Sequence, residues 1–304
     1  MPLKPALTPA KNTPIPNQDL SVKVFDQPGV LRDQLDNMRA QGKTVGFVPT
    51  MGGLHEGHLS LVRHAKSVAD VVVVSIFINP LQFGANEDLD AYPRMLEDDL
   101  QQLEQLDTDV VFTPSPEIMY PLGLDAQTKV LVPDLTTVLC GASRPGHFDG
   151  VSTVVCKLLN MVSPDTAVFG QKDLQQLLII KRLVADLALP VRVIGHPTTR
   201  EADGLAMSSR NTYLNEYQRA IAPALYQSLS AAAEAIKNGS REYLALEESA
   251  LTTLEQAGFA PDYVEIRRST DLIKATEADE EIAIFGAARL GTTRLIDNIV
   301  ISTG

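Results

Sequence analysis

Residues 45–58 read VGFVPTMGGLHEGH, and this stretch decides the fold because an apolar run, a glycine turn and a helix start follow one another directly. The apolar run predicts a strand over residues 44–48, and the following segment predicts a helix over 58–69. Gly52 and Gly53 allow close approach of a ligand to the backbone, and a helix start offers amide groups and a partial positive charge. The stretch therefore predicts a phosphate-binding turn.

The apolar run at residues 71–77, VVVVSIF, predicts the second strand of the same sheet. Apolar residues on both faces are typical of a central parallel strand that is covered by helices on each side. The same alternation continues, with helices predicted over 30–41, 93–106 and 151–162 and strands over 110–112, 167–169 and 191–194. We therefore predict an α/β fold with a Rossmann-like doubly wound parallel sheet.

The chain changes character near Thr198, where Ala-rich helical patterns replace the regular alternation. Residues 1–20 are rich in proline and predict a disordered tail. We predict a nucleotide-binding domain over 21–198 and a smaller α+β lid domain over 199–304. The elements predicted in the second domain are helices over 218–237 and 243–256 and strands over 263–267, 282–285 and 295–301.

Composition and charge exclude several classes of protein. The 304 residues are 44% hydrophobic and 21% charged, which is typical of a globular protein. A net charge of −12 argues against a nucleic-acid partner, because such partners require clustered cations. Cys140 and Cys156 are too few for a disulfide framework, so we expect both to be reduced. The sequence contains no apolar run of about 18 residues, so it predicts no membrane span, and we expect a cytoplasmic protein.

His55 and His58 are the first candidates for chemistry. Two imidazoles in one turn after a buried strand could stabilise charge that builds up on phosphorus. Alternatively, they are surface polar residues or a metal-binding pair. The spacing His-Glu-Gly-His lacks the His-Glu-x-x-His pattern of zinc proteases, and no third ligand is obvious. The nucleotide interpretation is therefore preferred.

Two later clusters of polar residues are further candidates for the site. The first lies between a predicted strand and a helix, and the second forms a polar loop. Residues 170–173, Gly-Gln-Lys-Asp, could bring Lys172 to a phosphate, although a solvated loop lysine is the alternative. Residues 206–211, AMSSRN, could fold over a triphosphate, although a helix cap is equally compatible. Neither cluster identifies a site on its own.

The order of these motifs resembles the nucleotidyltransferase superfamily that includes class I aminoacyl-tRNA synthetases. In that superfamily the second motif is usually richer in lysine, so here Lys172 and Arg210 would share the positive charge. Three further stretches, FINPLQF at 77–83, YPR at 92–94 and GASRPGHF at 141–148, narrow the resemblance to the pantothenate synthetase family. The resemblance extends from about residue 21 to the end.

This resemblance implies an enzyme that joins (R)-pantoate to β-alanine through a pantoyl adenylate, with ATP and Mg²⁺, in pantothenate and coenzyme A biosynthesis. It also implies a homodimer. The catalytic residues that it implies are His55 and His58, and His58 is the proton donor assigned in the family. The ATP contacts implied are Met51, Gly52, Gly53, Leu54, His55, Glu56, Gly57, His58, Gly170, Gln171, Lys172, Asp173, Thr199, Met207, Ser208, Ser209 and Arg210. The residues implied for pantoate and β-alanine are Gln82, Gln176, Asn79, Arg144 and His147, with no metal ligand assigned.

Alternative roles remain open at this stage. Gln176 begins an ordinary-looking helix, and Arg144 and His147 lie in a turn-forming stretch that could be purely structural. Three other functions are also compatible with the motifs: an aminoacyl-tRNA synthetase relative, another small-molecule nucleotidyltransferase, and a nucleotide-binding regulator. The acidic balance argues against the first.

Overall fold

A computed structural model describes residues 21–84 and 87–303. The predicted tail over 1–20 lies outside the described residues. The nine strands in this part of the chain are β1 Lys23–Phe25, β2 Val45–Thr50, β3 Val71–Ile76, β4 Val110–Phe112, β5 Thr166–Gly170, β6 Arg192–His196, β7 Ala260–Arg268, β8 Glu281–Leu290 and β9 Thr293–Ser302. The helices are α1 Pro28–Arg39, α2 Glu56–Val68, α3 Leu96–Gln105, α4 Pro116–Met119, α5 Cys140–Ser143, α6 His147–Val162, α7 Leu174–Asp186, α8 Glu216–Ile221, α9 Ala224–Lys237 and α10 Tyr243–Gln256.

The first six strands form one parallel sheet in the order β1-β4-β3-β2-β5-β6. Side chains of the central strands alternate between two separate hydrophobic clusters. Phe47 and Val73 point into one cluster, whereas Val48 and Val74 point into the other. Because both faces are covered, the predicted doubly wound α/β fold is confirmed.

The strand order reverses direction between β2 and β5. From β2 the chain goes on to β3 and β4 on one side, and it later returns to place β5 and β6 on the other. Ligands of such sheets bind in the crevice outside the carboxyl ends of the strands at this switch point. The turns that follow β2 and β5 are the two segments that carry the histidine pair and Lys172.

Several predicted boundaries shift for identifiable reasons. The helix predicted over 218–237 is two helices, because Pro223 lacks the amide hydrogen that a continuous helix needs. The helix predicted over 93–106 begins at Leu96, since Met95 has a non-helical backbone. The helix predicted over 151–162 starts earlier, at His147, and passes through Gly150. A Cβ at Gly150 would lie 2.4 Å from the Leu81 carbonyl oxygen, so glycine allows α6 to pack closely there.

The C-terminal part contains a separate antiparallel sheet in the order β7-β8-β9. Helices α9 and α10 cover it, with Leu229, Ile236 and Leu254 packed against Ile282 and Ile284. This arrangement confirms the predicted smaller α+β unit, and its strands are longer than the sequence patterns indicated. Strand β1 was not predicted, because three half-exposed residues at a sheet edge carry little periodic signal. No helix in the described residues is long and apolar enough to cross a bilayer.

Candidate active site

A cavity of about 600 Å³ lies at the carboxyl ends of β2 and β5 and extends to the C-terminal part of the chain. Its walls combine apolar side chains such as Val154 and Leu158 with a small number of polar groups, which is typical of a small-molecule site. The cavity therefore lies where the strand order predicts a ligand.

The turn after β2 is held by side chains from within the same sheet domain. Gly52 and Gly53 have positive φ angles of 80° and 61°, which favour glycine. The Gly53 amide donates to one carboxylate oxygen of Asp99 (2.9 Å) and the Leu54 amide donates to the other (2.7 Å). The Gly52 amide donates to Thr50 Oγ1 (3.2 Å). The amides that the sequence predicts for phosphate binding thus have protein acceptors.

His55 and His58 lie at the end of this turn with ring centroids 4.1 Å apart. His55 precedes α2, and its Nδ1 accepts the Gly57 amide hydrogen (3.1 Å), which leaves the neutral ring's own hydrogen on Nε2. Burial, followed by the positive charge of Lys172, lowers the pKa of His55 to about 4. Burial lowers the pKa of His58 to about 3, with His55 and Lys172 contributing. Both rings are therefore neutral at pH 7.

Asn79 fixes which end of the Gln82 side-chain amide faces the cavity. Asn79 is buried, and its Oδ1 accepts from the Tyr120 hydroxyl (2.6 Å) and the Leu81 amide (3.3 Å). Its Nδ2 donates to the Gly150 carbonyl (3.1 Å) and to Gln82 Oε1 (3.1 Å). A backbone amide only donates and a carbonyl only accepts, so this orientation of Asn79 is fixed. Gln82 Nε2 is left as the donor at the cavity, 3.0 Å from the Met51 sulfur.

Arg144 and His147 close one end of the cavity. Arg144 donates from Nε to Glu87 (2.6 Å) and from Nη1 to His147 Nε2 (3.0 Å). Because Arg144 only donates, His147 carries its hydrogen on Nδ1, which donates to the Gln82 carbonyl (2.7 Å). Burial would raise the pKa of Glu87, but hydrogen bonds and charge from Arg144 lower it to about 2. Burial and Arg144 lower the pKa of His147 to about 4.

The turn after β5 places Lys172 at the cavity wall, with its Nζ 4.0 Å from the Asp173 carboxylate. Asn298 of β9 holds this turn, because its Nδ2 donates to the carbonyls of Gln171 (2.9 Å) and Lys172 (2.8 Å). Gln176, in the first turn of α7, lines the cavity. Its neighbour Gln175 is buried and bonds backbone groups of residues 135–140 instead.

The loop over 207–210 forms the opposite wall. Ser209 is buried, and its hydroxyl lies 3.1 Å from the Tyr92 hydroxyl. Arg210 makes two hydrogen bonds of 2.9 Å to the carboxylate oxygens of Asp88. The Thr199 hydroxyl lies 3.0 Å from the Ser60 hydroxyl, which connects the domain junction to α2. Arg210 is thus already paired within the protein, and Lys172 carries the less engaged charge of the two.

Most of the residues predicted for the site come together at the cavity. Those that line it are Met51, His55, Gly57, His58, Asn79, Gln82, Arg144, His147, Gly170, Lys172, Asp173, Gln176, Thr199, Met207, Ser208, Ser209 and Arg210. Five predicted ATP residues are outside the lining, namely Gly52, Gly53, Leu54, Glu56 and Gln171. The first three face Asp99, and Glu56 is exposed and pairs with Arg63.

Sequence reasoning missed Asp88, Asp99, Tyr120 and Asn298. Asp99 lies in the acidic first turn of α3, where carboxylates are common because they interact favourably with the helix dipole, so its signal was not distinctive.

Within the described ranges, no group of three or more His, Cys, Asp or Glu side chains is arranged to hold a metal ion.

Known proteins resemble this chain over nearly its whole length. The family model for pantoate-beta-alanine ligase matches residues 23–300. A pantothenate synthetase from Pseudomonas fluorescens strain Pf0-1 is 55% identical over 269 residues, which are 88% of this chain and 94% of that protein. A pantothenate synthetase crystal structure from Thermus thermophilus has 42% identity and a TM-score of 0.86, covering 91% of this chain and 99% of that one. A Francisella tularensis pantoate-beta-alanine ligase, complexed with beta-gamma ATP and beta-alanine, has 36% identity and a TM-score of 0.78, covering 92% and 97%.

Proposed function

The chain belongs to the pantoate-beta-alanine ligase family, whose enzymes form pantothenate, and we propose that it does so in two steps through a pantoyl adenylate made from ATP. A free carboxylate is a poor acylating group, whereas an acyl adenylate has a good leaving group. The observation that carries this proposal is the convergence of the paired imidazoles with Lys172 at one cavity wall. That wall supplies hydrogen-bond donors and a cation for phosphate oxygens.

The two histidines act in their neutral forms in the free enzyme at pH 7. With the hydrogen of His55 on Nε2, the ring donates to a phosphate oxygen without carrying a full charge. Lys172 provides the positive charge that the leaving pyrophosphate needs. We propose that His58 assists in the same way, as a donor to the phosphate chain where negative charge builds up.

Pantoate occupies the other end of the cavity in this proposal. Gln82 Nε2 is a donor whose orientation is fixed by Asn79, and Gln176 contributes a second amide from α7. Pantoate carries a carboxylate and two hydroxyls, so amide donors and acceptors match it. Arg144 and His147 border this end, and their mutual hydrogen bonds support the Gln82 backbone. β-Alanine then attacks the acyl carbon with its amine and displaces AMP.

Mg²⁺ accompanies ATP in this proposal. The carboxylates of Glu87, Asp88 and Asp297 at the cavity are each paired with an arginine, whereas Asp173 is half-exposed and 4.0 Å from Lys172. This donor set does not form a protein cage, but Mg²⁺ usually keeps several waters and binds through substrate phosphates with one or two carboxylates. These residues therefore fit a magnesium ion that the triphosphate would mainly hold, with Asp173 as a carboxylate that could contribute to it, and the ion would offset phosphate charge.

We also propose that the chain closes around ATP. We propose that residues 21–198 carry pantoate and the phosphates, while residues 199–304 act as a lid that brings Ser208, Ser209 and Arg210 to the triphosphate. The hinge lies near Thr198, directly after β6 ends at His196. Small-angle scattering with and without ATP and pantoate should show a smaller radius of gyration with both ligands. Superimposable curves would contradict a lid.

The test of the mechanism is pantoate-dependent exchange of labelled pyrophosphate into ATP with β-alanine absent. Exchange is expected, because a pantoyl adenylate and pyrophosphate return to ATP and pantoate. Protein that forms pantothenate from all three substrates but shows no exchange would contradict the adenylate. Exchange that depends on another acid and not on pantoate would favour a different small-molecule nucleotidyltransferase.

Three further expectations complete the proposal. We expect a homodimer, a cytoplasmic location and a place in the route to coenzyme A. Sedimentation equilibrium at micromolar protein tests the dimer. Fractionation of the source cells tests the location, and rescue of a pantothenate-requiring bacterial strain tests the route.

A further inference from the structure

The turn over residues 52–54 forms a concave group of amides of the kind that binds anions. The Gly53 and Leu54 amides donate to one carboxylate, the Gly52 amide donates to Thr50 Oγ1, and Gly52 and Gly53 have the positive φ angles that occur in anion-binding nests. In this chain the anion is the protein's own carboxylate. Asp99 places one oxygen on the Gly53 amide and the other on the Leu54 amide.

Asp99 is only 1% exposed and comes from α3, which is remote in sequence from the turn. Both oxygens are used, so the carboxylate fixes the turn at two consecutive points. The fit is also tight, since a Cβ on Gly52 would lie 2.9 Å from an Asp99 oxygen and 3.0 Å from Ile76 Cγ2. This contact explains the glycine at position 52 better than close approach to a phosphate does, whereas a Cβ on Gly53 would lie 3.2 Å from Pro93 Cβ.

We propose that Asp99 is a positioning residue: its carboxylate fills the anion nest of the turn and thereby fixes where His55 and His58 stand. His55 follows Leu54 directly, and its ring caps α2 through the Gly57 amide. Any relaxation of the turn therefore moves the start of α2 and both imidazoles together. The catalytic consequence rests on the proposed function, in which the histidines bind the phosphates of ATP.

The occupied nest also affects where the phosphates of ATP bind. The amides of residues 53 and 54 have a partner of the same charge sign as phosphate, so the filled nest repels rather than attracts a second anion. The triphosphate is directed instead to the imidazoles and Lys172, which face the cavity. Asp99 thus acts on ATP binding without touching ATP.

The test compares Asp99→Asn with Asp98→Asn, an exposed carboxylate in the same turn of α3. An asparagine has one acceptor oxygen and one amide group that faces a backbone N–H, so D99N breaks one of the two contacts with almost no change in volume. The chain has five histidines, so ¹⁵N-histidine labelling gives resolvable ring signals for His55 and His58, with His64 and His196 as internal references.

D99N should shift the ring signals of His55 and His58 and leave those of His64 and His196 in place. It should lower kcat/KM for ATP by about 10²-fold, because a misplacement of about 1 Å can cost that much, with little change in KM for pantoate. D98N should match the parent protein in all measurements. Unchanged His55 and His58 signals in folded D99N would overturn the positioning role.

Shifted signals with unchanged ATP kinetics would keep the positioning role and overturn the proposed ATP site, so the two failures are distinguishable. If D99N does not fold, Asp99→Glu serves instead. It keeps the buried carboxylate but adds one methylene group in a site where a Cβ on Gly52 would already lie 2.9 Å from an Asp99 oxygen, so the carboxylate and the turn that it holds must move. The same two histidine signals should shift, and unchanged signals in folded D99E would overturn the inference.

Discussion

Two aspartates in neighbouring segments, Asp99 and Asp88, hold opposite walls of the same cavity in different ways. Asp99 is fully buried and bonds backbone amides that have no other partner among the described residues. Asp88 is about one-quarter exposed and bonds the guanidinium of Arg210, a side chain that could equally pair with phosphate. The first contact is part of the fold, whereas the second competes with the proposed ligand.

This difference shows that the wall with the histidines is preorganised and the wall with Arg210 is exchangeable. A buried carboxylate on amides is costly to disturb, because the amides would be left unsatisfied. A partly exposed ion pair contributes little and is easily replaced by another anion. We therefore expect substitutions at the first wall to impair the enzyme and the release of Asp88 at the second wall to help ATP bind.

The largest expected effect is at the histidine wall. His58→Ala should lower turnover by about 10²–10³-fold, by analogy with loss of one transition-state donor. Steady-state kinetics with all three substrates measures the effect. His64→Ala, at a histidine of the same helix that does not line the cavity, is the control. Near-normal turnover of folded H58A would remove His58 from the mechanism. It would also contradict the view that the wall with the histidines is preorganised for catalysis.

The next effect concerns the polarity of Gln82. Asn79→Asp replaces the Nδ2 donor with an oxygen that faces Gln82 Oε1 and the Gly150 carbonyl, so the Gln82 amide should flip. KM for pantoate should rise about 5- to 150-fold, which corresponds to about 1–3 kcal/mol for mismatched buried groups. KM for ATP should change little.

Tyr120→Phe keeps the Asn79 orientation set by backbone groups, so it should give a smaller rise in pantoate KM. Equal rises in both KM values for N79D would argue for general disruption of the site instead.

Acid should lower the free energy of unfolding, because the buried histidines stay neutral while the unfolded chain binds protons. Burial lowers the pKa values of His55 and His147 to about 4 and that of His58 to about 3, whereas an unfolded histidine has a pKa of about 6.5. Below pH 6.5 the unfolded chain binds protons that the folded chain does not, so stability falls as pH decreases towards 4. We expect a loss of about 1–2 kcal/mol per histidine between pH 7 and pH 5, measured by urea unfolding.

His147→Gln should reduce this slope, because it removes one of the three groups. A slope that is the same in H147Q and the parent protein would show that His147 is not buried in its neutral form.

The smallest expected effect has the opposite sign and lies at the exchangeable wall. Asp88→Asn should lower KM for ATP by up to about fivefold, since a partly exposed ion pair contributes about 0.2–1 kcal/mol. Asp90→Asn, at an exposed residue of the same loop, is the control. A higher KM for ATP in D88N would mean that Asp88 holds Arg210 in place for phosphate rather than competing with it.

The sequence predicted the central sheet well because its signals are strong and local. The runs over 71–77 and 45–50 are apolar on both faces, and only a covered parallel sheet accommodates that pattern. The helix over 243–256 also has the bounds that were predicted. Strand β1 and the split at Pro223 were missed, since three edge residues and one proline inside an Ala-rich run give weak signals.

The sequence predicted which residues belong to the site better than it predicted the hydrogen bonds that hold them. His55, His58 and Lys172 were predicted to belong to one ATP site because the motifs that contain them occur in the order of the family, and in the structure the turns that contain them follow β2 and β5 at the same edge of the sheet. The contacts of Asp99 and Asn298 could not be predicted, because each bonds a backbone group remote in sequence and carries no motif. The turn amides were expected to be free, and only the folded structure shows that Asp99 occupies two of them.

The fixed orientation of Gln82 also has a consequence for substrate analogues. Its Oε1 accepts from Asn79, so the group of Gln82 that faces the cavity is the Nε2 donor, which also lies 3.0 Å from the Met51 sulfur. A pantoate analogue that places a ketone or an ether oxygen opposite Gln82 keeps an acceptor there and should still bind. An analogue with an ammonium group at the same position presents only donors and should be rejected, even though its size is almost unchanged.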